Sequence, residues 1–329
     1  MTSNELAHPH DRLARYFLVD PELFANLLTN FGDSTIVRLL DLKRLRCESP
    51  VNVGKNLTQT TGDIRFSTVF KRTQRKSNVF VFCEHQSTID DLMSFRALEQ
   101  IAKSYREYID TMKQAGKGRP KSFPCPIVVI LYHGKRPWRT LKRMRDLIDR
   151  VPGFPKDLLD FPMFLIDISQ IPPEKLQGHP ALLALLETLQ LGSMGKLETG
   201  FDRVTSRLTE VRDDPRAAGW MYALVKYTIS LCRIGQEAIY DAFSKILNEK
   251  ETQTMVMTTA QELMLEGEVK GKIQGEKGAI LRFLKGRFGK VPKTISDTVD
   301  SYRDLTTLQS LSVLAGSCKS LDEFKDGLR

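Results

Sequence analysis

The sequence predicts an α/β protein with a mixed β-sheet flanked by helices, followed by an α-helical C-terminal region. Three observations lead there. Two runs of strand character, TGDIRFSTVF at residues 61–70 and NVFVFCEHQS at 78–87, flank the short polar run KRTQRKS, the pattern of a hairpin. An amphipathic stretch at 89–112 and then a continuous apolar run, PIVVILYHG at 126–134, come next, so a helix crosses over the sheet to a further strand. From Pro172 onward the apolar residues recur at helical spacing.

The bulk properties fit this class. The chain has 329 residues, enough for two or three domains, and its 41% apolar content is ordinary for a globular protein. No run approaches the roughly 20 apolar residues that span a bilayer. The opening MTSNELAHPHDRLARYF lacks the apolar core of a signal peptide. A cytoplasmic protein without membrane association is therefore expected, and the sequon at Asn56 is then without consequence. Cys47, Cys83, Cys125, Cys232 and Cys318 are odd in number and scattered, which argues against a disulfide framework and a structural zinc site. The net charge of +9 favours a polyanionic partner, nucleic acid before a membrane surface, although a merely soluble basic protein has the same balance.

Residues 8–46 read as helical. Leu13, Tyr16 and Phe17 share one spacing; Asp20-Pro21 opens a second helix with Leu23, Phe24, Leu27 and Leu28 in one stripe. A third apolar segment at 36–45 leads to a polar loop at 48–61. In the hairpin, strand parity sets Phe82, Glu84 and Gln86 on one face and Val81, Cys83 and His85 on the other. An antiparallel register with Phe70 opposite Ser77 brings Asp63 opposite Glu84, whereas a one-residue slip sends Asp63 to the other face. Two neighbouring carboxylates repel unless a cation lies between them, and carboxylate oxygens suit Mg²⁺. A cation held there activates water and offsets charge on a phosphodiester. Asp63, Glu84 and Gln86 are thus candidate catalytic residues, with Asp63 and Glu84 as Mg²⁺ ligands and the Gln86 amide orienting water or phosphate. A solvated sheet face carrying a cross-strand polar pair fits the same pattern.

The helix at 89–112 presents Leu92, Phe95, Leu98, Ile101, Ala102, Tyr105 and Ile109 as its apolar stripe; Arg96, Lys103 and Arg106 lie off it, as phosphate contacts or as ordinary surface charges. The loop at 115–124 is basic and rich in Gly and Pro but lacks P-loop spacing. Lys135, Arg136, Arg139, Lys142, Arg143 and Arg145 make the densest positive cluster, with Trp138 among them either as a nucleic-acid stacking group or as core. FPMFLIDI at 161–168 reads as the last strand, with Asp167 in a structural role. Helices follow at 182–191, 201–211, 218–235 and 237–248, with Trp220 and Cys232 as core. In the tail, Gly267, Gly271 and Gly275 recur every four residues in a charged stretch that excludes a membrane motif and weakens a helix. The divisions expected are 1–170, 171–250 and 251–329, the last a helical module suited to self-association or to plain packing.

GDIRF and FVFCEHQS, followed by DDLMSFRALEQIAKSY, resemble the Rpn family of recombination-promoting nucleases. HDRLARYFLVDPELFANLL, PIVVILYHG with Trp138, and the Gly-rich charged stretch before ILRFLKGRFG extend the likeness over most of the chain. The resemblance implies a PD-(D/E)XK restriction-endonuclease-like core and Mg²⁺-dependent DNA cleavage in recombination or transposition. Carried over by position, Asp63 matches the motif's Asp and Glu84 its second acid. Gln86 stands where the superfamily usually has Lys, and Asp11 in the opening helix is implied as an additional acidic metal ligand. Arg96, Lys135, Arg136 and Arg139 are the expected DNA contacts, and a homo-oligomer through the C-terminal region is the expected assembly. The rival expectation is a DNA-binding or partner-binding protein that keeps the nuclease fold without the chemistry.

Overall fold

The computed structural model describes residues 9–48, 64–71, 78–149, 159–231 and 236–328. Asp63, most of the polar loop before it, the hairpin connection and Cys232 lie outside the described residues.

Among the described residues five strands form one sheet in the order β1-β2-β3-β4-β5. They are β1 (Arg46–Cys47), β2 (Ile64–Val69), β3 (Asn78–Gln86), β4 (Cys125–Tyr132) and β5 (Met163–Asp167). β1, β2 and β3 are antiparallel neighbours, while β3, β4 and β5 run parallel, so the sheet is mixed. Ile64 pairs with Cys83 and Val69 with Asn78, the offset expected from the sequence.

The helices cover both faces. α1 (Pro9–Leu18), α2 (Pro21–Phe31) and the single turn α3 (Ser34–Val37) precede the sheet, and α4 (Met93–Gln114) crosses from β3 to β4. α5 (Pro180–Met194), α6 (Leu197–Thr209), α7 (Ala217–Leu231) and α8 (Gln236–Ser244) follow β5. Strand alternation divides the core. Val79, Val81, Cys83, Val129 and Leu131 pack with the buried stripes of α1, α2, α5 and α7. Phe80, Phe82, Val128 and Ile130 pack on the other face with Met93, Ala97 and Ile101 of α4. Asp20 caps α2 as predicted, its carboxylate accepting from the Glu22 and Leu23 amides.

Two expectations are corrected. Helix stops at Val37 rather than continuing to residue 46, because the next segment pairs with the edge of β2. The Asp41 amide donates to the Val69 carbonyl at 2.9 Å and the Lys71 amide to the Leu39 carbonyl at 2.7 Å, which covers backbone groups that an open edge exposes. The apolar Leu40 and Leu45 there serve the sheet core, not a helix stripe. α4 begins at Met93, not at residue 89, after a turn ordered by Asp90, whose carboxylate accepts from the Leu92 amide at 2.9 Å. Its buried face is also rotated from the predicted one: Met93, Ser94, Ala97, Ile101 and Ser104 face the sheet, while Leu92 and Phe95 are exposed. Small residues there let the helix lie close to the bulky Phe80 and Phe82. Of the two roles open to Trp138, core is the one found: it is 4% exposed, its indole N–H donating to the Thr140 carbonyl.

The chain divides into two compact units, Met1–Val256 and Met257–Arg329. α9 (Glu249–Phe288) contributes to both, and Asn248 caps it by accepting from the Glu251 amide. In the second unit, Ile280 and Leu284 of α9 pack with α10 (Lys293–Ser301), α11 (Leu305–Ser317) and α12 (Leu321–Asp326) around Val299, Leu308 and Phe324. The glycines at 267, 271 and 275 lie within the helix and have nothing within 4 Å of a Cβ built on them.

Candidate functional site

Because β3 and β4 run parallel, their C-terminal ends leave the sheet at the same edge. Glu84 and Gln86 lie at the end of β3, in register with Ile130 and Tyr132 of β4. Glu84 is only 2% exposed, and a carboxylate removed from water is costly unless polar groups surround it. They do. The Gln100 amide of α4 donates to its Oε1, and the Gln86 Nε2 donates to its Oε2 at 3.4 Å. The Arg96 guanidinium lies 3.8 Å from the same Oε2 and 3.0 Å from Asp90, so α4 lays opposite charge over the acid. Gln100 also leaves an acceptor behind: its Oε1 is buried and has no hydrogen-bond partner among the described residues. An unsatisfied oxygen beside a buried carboxylate is the donor set a hard cation takes.

Asp63 lies outside the described residues. Its neighbour in sequence, Ile64, pairs with Cys83, the neighbour of Glu84. Asp11 lies beside His85. Its carboxylate sits 4.0 Å from His85 Nδ1, and His85 leaves β3 on the opposite face, stacked on His133 with ring centroids 4.4 Å apart. Among the described residues no three His, Cys, Asp or Glu side chains converge to hold a metal ion.

The basic cluster after β4 separates into two halves. Lys142 pairs with Asp91 at 3.1 Å, Arg143 with Asp160 at 3.0 Å, and Arg145 lies 3.6 Å from Asp160. Lys135, Arg136 and Arg139 follow the edge where β3 and β4 end, and all three are exposed. The Tyr132 hydroxyl donates to the Arg136 carbonyl at 2.6 Å and anchors this loop. Asp167 anchors it too, accepting from the Trp138 amide at 2.8 Å, which is a structural role. Gly134 has to be glycine: a Cβ there collides with the Tyr132 hydroxyl and the Ser87 carbonyl, where the exits of the two strands approach.

Behind the site, the His133 amide donates to the Gln86 carbonyl at 3.1 Å. Its Nδ1–H donates to the Leu189 carbonyl of α5 at 3.2 Å, with the Ser193 hydroxyl at 2.6 Å. Burial, and secondarily the neighbouring His10, push this imidazole down to about 3.

Gln100 is the residue that sequence reasoning missed. Its signal was its position one turn after Arg96, on the same side of the helix, in a row that otherwise buries small residues.

The profile of the family described as "Putative transposase, YhgA-like" matches residues 8–216, well over half of the chain. The recombination-promoting nuclease RpnA of Escherichia coli (strain K12) is 27% identical over 191 residues, 58% of this chain and 62% of RpnA, so the chain spans less than two thirds of that relative. The recombination-promoting nuclease RpnD of Escherichia coli O157:H7 is 29% identical over 193 residues, 58% of this chain and 70% of RpnD. The inactive recombination-promoting nuclease-like protein RpnE of Escherichia coli (strain K12) is 24% identical over 280 residues, 84% of this chain and 88% of RpnE. No solved structure matches the chain. The family match takes in the sheet, α1 to α6 and the buried Glu84, and on it the chain belongs to the Rpn family, the YhgA-like putative transposases.

Proposed function

We propose that this chain is a Mg²⁺-dependent DNA endonuclease with a PD-(D/E)XK-type site, acting in recombination or transposition. The observation that carries the reading is Glu84: a buried carboxylate under the Arg96 guanidinium, beside the unsatisfied Gln100 oxygen, at the sheet edge that presents Lys135, Arg136 and Arg139. The relatives named nucleases support it. The donors fit Mg²⁺, which takes oxygen ligands. Glu84 would hold it with Gln100 Oε1 and with Asp63, the residue next to Ile64 on the strand paired with β3. When bound, the cation offsets negative charge on the phosphodiester and acidifies water. Gln86 orients the attacking water; an amide takes no proton at neutral pH, so Gln86 is a positioning residue. Arg96 and the cations after β4 hold the phosphates on either side. Asp11, beside His85, is given no role in this reading.

The test is nicking of supercoiled plasmid with Mg²⁺ or with EDTA, using wild type, Glu84→Gln and Asp63→Ala. Mg²⁺-dependent nicking by wild type, lost in both variants, is expected. Absence of nicking across divalent ions would sink the enzyme reading. A second reading, a DNA-binding or partner-binding protein without the chemistry, draws on RpnE, which is named inactive and matches the most of this chain among these three relatives, and on Gln86 standing where a lysine is usual. Salt-sensitive DNA binding without cleavage would favour it.

For assembly, we infer a second copy of the chain docking along α9, where Met264 and Leu265 are exposed beside the open glycine face. Light scattering that finds a monomer at micromolar concentration would refute this. No described helix is long and apolar enough to cross a membrane.

A further inference from the structure

A groove of about 620 Å³ opens between the β1–β2 edge and the second half of α4. Register builds its floor. Arg46 pairs with Ser67, Ser67 with Phe80, and Arg65 with Phe82, and directly opposed residues share a sheet face. Phe80, Phe82 and Glu84 alternate onto that same face, so the groove and the Glu84 site lie on one side of the sheet. Phe80 and Glu84 are four residues apart along β3, about 13 Å at strand rise.

The groove's charges are arranged unevenly. Arg65 is already engaged, 2.8 Å from Glu107 and stacked over the Phe80 ring at 5.1 Å, so it stiffens the wall. Glu48 accepts from the Ser67 hydroxyl. Arg44 lies 3.5 Å from Asp41 with its guanidinium largely in solvent, and Arg46 is exposed and makes no ion pair among the described residues. Two solvent-facing guanidiniums thus line the same groove as Tyr108 and Phe80. Guanidinium forks match phosphate oxygens, and aromatic rings receive a base without regard to its identity. The volume is in the range of small-ligand clefts, roughly 300–1,000 Å³.

We propose that this groove is a nucleotide subsite, in which Arg44 and Arg46 hold a phosphate and Tyr108 receives the attached base. It rests on the nucleic-acid reading of the Glu84 site and extends it: a strand cut at Glu84 is gripped a second time along β2 and α4. The shared chemistry is a phosphate ester next to a planar base, carried by a strand or by a free nucleotide.

The experiment measures fluorescence anisotropy of a labelled single-stranded 20-mer with the full chain in EDTA, across a salt series, for wild type, Glu84→Gln, Tyr108→Ala and the Arg44→Ala/Arg46→Ala double variant. The double variant should bind at least 10-fold more weakly. Its plot of log affinity against log salt should flatten by about 0.7 for each phosphate that is no longer neutralised. Tyr108→Ala should weaken binding with no change of slope. Competition by deoxyadenosine monophosphate assigns the subsite to a single nucleotide, and its failure assigns it to a strand. Wild-type affinity and slope in the double variant, with unchanged thermal midpoints, overturn the proposal, as does a wild type that binds neither probe. The two readings fail separately. A wild type that never nicks DNA yet needs Arg44 and Arg46 to bind it leaves the groove standing and removes the nuclease.

Discussion

Lowering the pH should loosen the sheet edge that carries the candidate site, and His133 is the group that should do it. This imidazole is 1% exposed, and its Nε2 has no hydrogen-bond partner among the described residues. Its folded-state value of about 3 lies below the ordinary 6.5, so the unfolded chain binds the extra proton. The stability that neutral His133 provides is therefore complete above pH 6.5 and falls as the pH is lowered from 6.5 toward 3. One pH unit within that window corresponds to about 1.4 kcal/mol, so a shift from pH 6.5 to 5 should remove about 2 kcal/mol. The assay is urea unfolding at pH 7.5 and at pH 5.0, for wild type and for His133→Asn, whose amide can still donate toward Leu189. Groups remote from His133 contribute alike in both proteins and drop out of the difference. The variant is expected to start lower at pH 7.5 and to lose about 2 kcal/mol less than wild type on acidification. Parallel losses in the two proteins would refute the argument.

Gln100→Ala should raise the Mg²⁺ concentration needed for half-maximal nicking about 10- to 100-fold, because it removes a hydrogen bond to Glu84; an unchanged Mg²⁺ titration would count against the site. Glu187 is fully buried on α5 and ion-paired to Arg203 at 3.1 Å and Arg207 at 2.7 Å of α6. Glu187→Gln should cost about 2 kcal/mol in chemical denaturation, discounted from the range for buried pairs because Arg203 is half exposed. Phe66 stacks on Phe24 at 4.3 Å between ring centroids, both rings without exposure, so Phe66→Ala should cost about 4 kcal/mol and shift the thermal midpoint accordingly.

The hairpin was the most legible part of the chain. Its register and the opposite facing of Glu84 and His85 follow from strand parity, which is a strict period of two. α4 was harder. Leu92 and Phe95 look like the natural stripe by size, but the sheet beneath already supplies bulk in Phe80 and Phe82, and the helix meets it with Ser94, Ala97 and Ser104. That choice brings Gln100 over Glu84, and a hydropathy pattern scores glutamine as surface. The basic run after β4 shows the reach of the difficulty. Composition treats its six cations alike, yet Asp91 and Asp160, both distant in sequence from their partners, bind half of them. Likewise, nothing local announces that residues 40–47 border a strand; the strand they border comes some twenty residues later.

The parallel pairing of β3 and β4 has a consequence for how this family can vary. The topology brings the acid and the cations to one edge, and buried residues such as Val129, Ile130 and Leu131 enforce it from within the core. A handful of side chains at the strand ends can therefore change while folding is left intact. Among the relatives, RpnA is named a nuclease and RpnE an inactive nuclease-like protein.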